Sequence, residues 1–573
     1  MHFDRVLPVA CLALVAACGG PGGDAPRAES PRAPAEWFTE EAAGTGLDFV
    51  HFNGMSGEHY YPEIMAPGVG LLDYDTDGDL DVYVVQGQML GRGKTTGDAI
   101  HRPTGELRDR LFRNDLADGV LRFTDVTEGS GIDVRTYGMG VAVGDIDNDG
   151  FVDVYRTGLD GSVLLRNNGN GTFSDVTAKS GTANRGGWGV SASFVDYDRD
   201  GFLDLYVGNY LIYSVEGDID CLSMTGQADY CPPNSYRGQP DKLYRNRGNG
   251  TFEDVTSRAL VGGAYGPALG VSTADFDGDG WLDIYVGNDG EANQLWINGR
   301  DGTFRETAFL SGAAVNGAGN AEASMGIDAG DFDNDGDEDL FVTNWLSQMN
   351  ILYVNTGGAF EDRKAASGLG PPSLAKTGFG TAWFDYDNDG WLDLLAVNGS
   401  VSIIEAQARA RERFPLRMVN QLYRNTADGR FEDVTPRAGK AFELSEVSRG
   451  AAFGDIDNDG DTDVVIGNAA GPLRLLVNHV GNRNHWLGLR LVGPGGRDAI
   501  GARVNVTRSG STILRRARSD GSYASANDPR VLVGLGSSTE APRVRVTWPD
   551  GKSEEFAGIA IDAYTTLKQG SGK

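Results

Sequence analysis

Nine residues recur seven times along this chain in one pattern: Asp, any residue, Asp, any, Asp, Gly, any, any, Asp. The first copy is Asp73-Tyr-Asp75-Thr-Asp77-Gly78-Asp79-Leu-Asp81, and the others start at Asp145, Asp196, Asp275, Asp331, Asp385 and Asp455. No copy lacks any of its four carboxylates or its glycine. Four like charges packed into so short a loop repel one another unless a cation shares them. Seven copies in one chain also make the loop the marker of a structural repeat.

The spacing suits calcium. This hard cation takes six to eight oxygens at about 2.3–2.6 Å. Alternate residues of a tight loop point inward, so positions 1, 3 and 5 converge. Position 7 can offer its backbone carbonyl, position 9 returns a carboxylate, and glycine at position 6 permits the positive φ of a sharp reversal. The candidate ligands are Asp73, Asp75, Asp77 and Asp81, joined in this loop by Asp79; Asp145, Asp147, Asp149 and Asp153; Asp196, Asp198, Asp200 and Asp204; Asp275, Asp277, Asp279 and Asp283; Asp331, Asp333, Asp335 and Asp339; Asp385, Asp387, Asp389 and Asp393; and Asp455, Asp457, Asp459 and Asp463. About seven ions are expected. An EF-hand is excluded, since it needs Glu at position 12 and flanking helices. Magnesium, which keeps its waters, is a poorer match.

The flanks are strand-like. A small-residue strand precedes each loop, such as Gly-Val-Ala-Val-Gly before Asp145, and an apolar strand such as 203–207 follows it. A third strand comes next in most units (Leu-Phe-Arg-Asn at 111–114, Leu-Tyr-Arg-Asn at 243–246 and 422–425). An Asn-Gly or Asp-Gly turn then leads to a fourth, as at 172–177 and 251–256. Four strands per repeat predict an all-β, seven-bladed β-propeller over residues 36–483. The last unit has only three strands. Trp37-Phe-Thr-Glu-Glu-Ala, an unpaired fourth-strand look-alike, is expected to complete blade seven and close the ring. Insertions at 86–110, 210–241 and 401–418 stretch three of the intervals, and the last of these reads as a helix.

Residues 1–17 read as a signal peptide ending in Val15-Ala16-Ala17, with Cys18 as the lipidated first residue of the mature chain and 18–35 as a flexible tether. The implied location is exported and lipid-anchored to a bacterial envelope, with plain secretion as the alternative. Cys11 leaves with the signal, so Cys221 and Cys231 remain, ten apart in one insertion, and are expected to pair. The net charge is −31; seven calcium ions would halve it roughly, and no basic stripe suggests nucleic-acid binding.

After Asn482 the acidic pattern stops. Residues 484–570 read as a small β domain with strands at Trp486, Ala502, Thr512, Val531 and Val544. The first part resembles the FG-GAP/VCBS repeats of integrin-α-like propellers. The second resembles ASPIC/UnbV domains through Asn-His-Trp-Leu (484–487), Arg-Asp-Ala-Ile-Gly-Ala-Arg-Val (497–504), Val-Gly-Leu-Gly (533–536) and Val-Thr-Trp-Pro-Asp-Gly (546–551). Their order, and Asp229-Tyr-Cys-Pro-Pro followed by 238–246, are similar to the cartilage acidic protein 1 family. Animal members carry a C-terminal EGF-like module that is not seen here. The resemblance implies calcium binding and an extracellular adhesion or interaction role, with the insertions and C-terminal domain contacting a protein or glycan of unknown identity.

Two other functional classes draw on fewer features of the sequence. A lectin would use Trp281 and Trp391, at position 7 of their loops, to stack on sugars, although repeated aromatics at one register more often pack between blades than line a site. A calcium-dependent enzyme or biosynthetic accessory protein would have only His51 and His59 as clustered imidazoles; the sequence holds no His-Glu-x-x-His, Gly-x-Ser-x-Gly or P-loop. No catalytic residue is assigned.

Overall fold

A computed structural model describes residues 36–223 and 226–573. Seven antiparallel blades follow one another along residues 69–478, their four strands ordered inward to outward as the chain runs in all but blade seven, whose outermost strand is Phe38–Glu40. The strand preceding each acidic loop is the innermost: Val69–Leu72, Gly138–Gly144, Gly189–Val195, Ala268–Ala274, Ile327–Gly330, Gly378–Phe384 and Ser448–Gly454. Each inner strand neighbours the next, and the seventh neighbours the first. The sheets therefore form a ring in which apolar side chains of adjacent blades interdigitate, such as Leu71, Val82 and Phe112 of blade one with Ala452 and Val465 of blade seven. This is a β-propeller.

The ring is closed by the chain's early segment. Phe38–Glu40 pairs antiparallel with Arg474–Asn478, in the register Phe38↔Asn478, as the fourth strand of blade seven. Phe38 is fully buried and packs edge-on against Phe442. The fourth strands are shorter than their sequence suggests. In blade two, strand Phe173–Asp175 ends early because Thr177–Ser180 turns into a helix whose chain exits through Gly181 in the left-handed conformation. Blade four gains a parallel fifth strand, Leu260–Val261.

Of the insertions, 401–418 is helical only over Glu405–Arg409, a correction to the longer helix expected. None of its five residues is buried, and a helix of this length has little stability of its own. Within 210–241, two short ribbons form, and Cys221 is bonded to Cys231 as expected.

Beyond Asn482, two sheets pack face to face. One holds Val531–Gly536, His485–Val492 and Tyr564–Lys568; the other holds Ser511–Arg516, Arg503–Arg508, Arg543–Thr547 and Ser553–Phe556. Leu487, Leu489, Val504, Val533, Val546 and Trp548 fill the space between them. The last strand of each sheet was not anticipated from sequence, because Ser553–Phe556 carries charge on both faces and Tyr564–Lys568 has only one fully buried residue.

The segment between Arg516 and Val531 leaves these sheets and enters the centre of the ring, where it touches all seven inner strands. Ala526 exchanges backbone hydrogen bonds with Val69 and Leu71 (3.0 Å each). Val141 donates its N–H to the Ala524 carbonyl, and Ile327 donates to that of Ser522. The Ser191 hydroxyl accepts from the Ala524 N–H, and Asp520 accepts from the Thr273 N–H (2.7 Å). The Ser522 hydroxyl accepts from the Thr381 N–H and donates to the Ala451 carbonyl. Small residues make room for it: a Cβ on Gly68 would stand 1.8 Å from the Ala524 carbonyl oxygen, and one on Gly450 2.5 Å from the Ser525 hydroxyl. At its tip Tyr523 is fully buried, edge-on to Phe379, and donates to the Met65 carbonyl at 2.8 Å.

Candidate metal centres

Each acidic loop joins an inner strand to the second strand of its blade, so all seven lie on one face of the ring. The fold of the loop follows from two left-handed residues. Position 6 is the expected glycine, with φ between 90° and 100° in all seven copies. Position 4 is also left-handed: Thr76, Asn148, Arg199, Gly278, Asn334, Asn388 and Asn458. Asn and Gly tolerate this conformation best, and five of the seven copies use one of them. That signal was present in the sequence and unread. The double reversal turns the position 1 carboxylate onto the position 6 N–H in six loops (for example 2.8 Å from Gly150 to Asp145) and the position 5 carboxylate onto the position 7 N–H in all seven.

Carboxylate oxygens then converge. Asp73, Asp75 and Asp81 lie within 4.8 Å of one another, as do Asp145, Asp147 and Asp153; Asp196, Asp198 and Asp204; Asp275, Asp277 and Asp279; and Asp331, Asp333 and Asp339. Two further clusters of this kind exist. Within them, one oxygen each of Asp75, Asp147, Asp333 and Asp387, all at position 3, is buried with no hydrogen-bond donor. An orphaned carboxylate oxygen is costly, and a hard cation at the centre of the loop is the group that fits this donor set. Burial, reinforced by neighbouring carboxylates, raises the position 9 groups: Asp283 is pushed up to about 8 and Asp339 to about 9.

Position 9 also ties each loop to its neighbour. Its carboxylate accepts from the backbone N–H of the asparagine that ends the third strand: Asn114, Asn167, Asn246, Asn298, Asn355, Asn425 or Asn478, at 2.7–2.8 Å. The side chain of that same asparagine donates to the position 2 carbonyl in the preceding blade's loop, at 2.8–3.0 Å in all seven cases, Asn114 reaching back to Ile456 of blade seven. A second belt runs the other way. Asn148, Asn334, Asn388 and Asn458 donate to the position 6 carbonyl of the following loop, as does the Arg199 guanidinium to Gly280. The repeated Arg-Asn thus has two tasks. Arg166, Arg245 and Arg424 bridge the carboxylates at positions 3 and 5 from outside, while the asparagine links blades.

The profile for FG-GAP-like repeats matches residues 152–207, 217–286, 275–342, 331–396 and 412–466, about half of the chain. The chain belongs to the FG-GAP-repeat family. The profile for ASPIC and UnbV matches residues 493–573, so the FG-GAP ring carries an ASPIC/UnbV domain. Cartilage acidic protein 1 of Mus musculus is 26% identical over 512 residues, covering 86% of this chain and 71% of the relative. The Homo sapiens protein of the same name is 26% identical with 86% and 70% coverage. A solved structure of an Agrocybe aegerita lectin that recognises non-reducing terminal N-acetylglucosamine aligns with 65% of this chain and 90% of its own, at 16% identity and a TM-score of 0.38.

The ASPIC/UnbV domain sits on the loop face of the FG-GAP ring and meets the position 1 aspartates directly. Arg490 pairs with Asp73 (3.3 Å), Arg497 with Asp196 (3.5 Å), and Arg503 with Asp275. Arg515 is buried and faces both Asp331 and Asp385. The Tyr564 hydroxyl donates to Asp455 at 2.8 Å, and Arg530 donates to the Asp455 carbonyl and to Asn458. At the second loop the Gly495 backbone packs onto Asn148, and at the seventh Trp486 covers Gly460. The charge asymmetry behind this was legible in the sequence: residues 484–573 carry 13 Lys and Arg against 8 Asp and Glu, in a chain of net charge −31.

Other residues singled out from sequence fall as follows. The Asp79 carboxylate accepts from Asn458 of blade seven at 2.7 Å and is not brought into the cluster of its own loop. Trp281 is half-buried beneath the Arg199 guanidinium (4.0 Å to the ring centre), so it packs between adjacent loops. Trp391 is half-buried. His51 is buried, and loss of water lowers it to about 3; His59 packs edge-on against Tyr230, and no contact joins the two imidazoles. Cys18, the signal peptide and the tether lie outside the described residues. Among the described residues no helix is long and apolar enough to cross a membrane.

Proposed function

We propose that the protein is an exported, calcium-binding interaction module whose calcium is structural. The observation that carries this reading is the sevenfold convergence of buried carboxylates around oxygens that have no donor. The residues at positions 1, 3, 5 and 9 would hold the ion, which would neutralise the repulsion among them. The position 9 aspartate and its asparagine partner pass that order to the neighbouring blade, and the position 1 aspartate passes it to the ASPIC/UnbV domain. Likeness to cartilage acidic protein 1 and the Cys221–Cys231 bond support an extracellular setting, in which a lipid on Cys18 would tether the module to the cell envelope.

A partner protein or glycan would meet the face away from the acidic loops, because the ASPIC/UnbV domain occupies the loop face. The domain is thereby reassigned from partner-binding to capping. Equilibrium dialysis with labelled calcium tests the reading: about seven ions per chain are expected, falling by one in Asp283→Ala. A stoichiometry near zero overturns it.

A further inference from the structure

On the face away from the acidic loops, the centre of the ring opens into a cavity of about 300 Å³, at the small end of the range for ligand pockets. Aromatic side chains dominate its wall: Tyr61 ahead of blade one, Tyr230 and Tyr236 from the disulfide-bonded insertion, and Trp345 from blade five. Trp345 is 40% exposed, large for an indole, whereas Tyr61 is 3% exposed. The floor is made by Ile64 and Met65, and behind it the Tyr523 hydroxyl seals the channel from the other side.

The charges of the cavity are one-sided. Asp289 and Glu291 line it, and no Lys, Arg or His does. Among the described residues neither carboxylate has an ion-pair partner. Asp289 is held by the Tyr210 hydroxyl, which donates to it at 2.5 Å and is itself 2.8 Å from the Tyr61 hydroxyl. Its orientation is therefore fixed and no cation faces it; burial raises its carboxyl to about 7, and a cation bound beside it would favour the charged form. A second buried carboxyl, Glu63, stands behind the wall and accepts from the Tyr230 hydroxyl at 2.9 Å; burial raises it to about 8, so it is largely protonated at neutral pH and adds little charge of its own. The buried Arg449 does not supply the missing charge, because its guanidinium is spent on the carbonyls of Ile64, Gly399 and Ser400 and lies over the Phe379 ring.

An anion would be repelled here. A neutral sugar could stack on Trp345 but would leave Asp289 uncompensated. A positive group with an apolar body satisfies both features, since ring faces attract cations and do so more strongly when water is excluded. We propose that this cavity binds a small organic cation, an alkylammonium or alkylguanidinium, with its charge against Asp289 and the aromatic faces of Tyr61, Tyr230 and Trp345. The site lies on the opposite face from the acidic loops and does not rest on their occupancy.

Calorimetric titration of the full chain, in calcium-containing buffer, with choline and with agmatine tests the proposal. At least one of these probes is expected to bind, at least about tenfold tighter than 3,3-dimethyl-1-butanol, the neutral isostere of choline. Asp289→Asn keeps an acceptor for Tyr210 and is expected to retain the melting temperature and the calcium stoichiometry while losing about tenfold or more in affinity. Trp345→Ala, at a half-exposed position, is expected to weaken binding several-fold. Equal binding of the neutral isostere, binding of N-acetylglucosamine in place of both cations, unchanged affinity in Asp289→Asn, or no binding of either cation at millimolar concentration overturns the proposal. Loss of calcium stoichiometry with cation binding intact would strike the calcium reading and not this one.

Discussion

On one face of the ring, seven clusters of carboxylates meet five arginines of the ASPIC/UnbV domain, and a segment of that domain fills the channel. On the other, Asp289, Glu291 and Glu63 meet no cation, and the channel mouth stays open beneath an aromatic wall. The first face is saturated with contacts inside the chain, so its chemistry serves cohesion. The second keeps unspent polar groups and exposed aromatic surface, which is where recognition of something outside the chain has room to occur. The three insertions also crowd that second face: Tyr230 of one reaches Glu63, and Val401 and Ser402 of another line the cavity.

Removing the proposed calcium is the harshest way to break this contrast. At a free concentration 100-fold above its dissociation constant, each ion adds about 2.7 kcal/mol of stability, and a domain's total is typically only about 5–15 kcal/mol. EDTA is therefore expected to lower the calorimetric melting temperature steeply; a transition that does not move would detach the acidic loops from cation binding altogether. Next in size is the plug. Tyr523→Ala deletes a fully buried ring and is expected to cost about 3–5 kcal/mol, read by denaturant unfolding. Should it cost almost nothing, the segment is a passenger in the channel and not part of its core.

The open face has its own signature. Burial pushes the Glu63 carboxyl up from 4.5 to about 8, so its contribution to stability is full below about pH 4.5 and is lost as pH rises through about 8. Up to ~5 kcal/mol of pH dependence is at stake. Glu63→Gln should flatten the decline between those values when its unfolding is compared with wild type across the range; parallel curves for the two would remove Glu63 from the account. Smallest is the inter-blade belt. Asn167→Ala removes the hydrogen bonds to the Tyr74 and Val152 carbonyls and is expected to cost about 1–2 kcal/mol, with hydrogen exchange quickening first at blades one and two.

The repeat was readable because each blade restates the same local rules: small residues, Asp loop, apolar run, Asn-Gly or Asp-Gly turn. Even the closing strand at Phe38–Glu40 could be inferred, since blade seven lacks a fourth strand of its own. What escaped were relations between repeats. The third-strand asparagine looks like an ordinary strand end, and only the ring's curvature brings its amide to the preceding loop. The plug reads as Arg-Ser-Asp-Gly-Ser-Tyr-Ala-Ser-Ala-Asn-Asp-Pro, small and polar, with no periodicity to mark it as interior. Its counterpart was visible, though: inner strands as poor in bulk as Gly-Val-Ala-Val-Gly cannot fill a channel by themselves. The cavity on the open face draws on residues from 61 to 402, which no local pattern connects.

The pairing of Thr39 with Val477 sets a schedule for the cell that makes this protein. A strand synthesised among the first must wait for one synthesised more than 400 residues later, and the plug that fills the channel emerges later still. Each finished blade can hold its own hairpins, yet the first remains without its seventh neighbour until translation is nearly over. A chain stalled or cleaved anywhere before blade seven is left as an open arc with two unsealed edges.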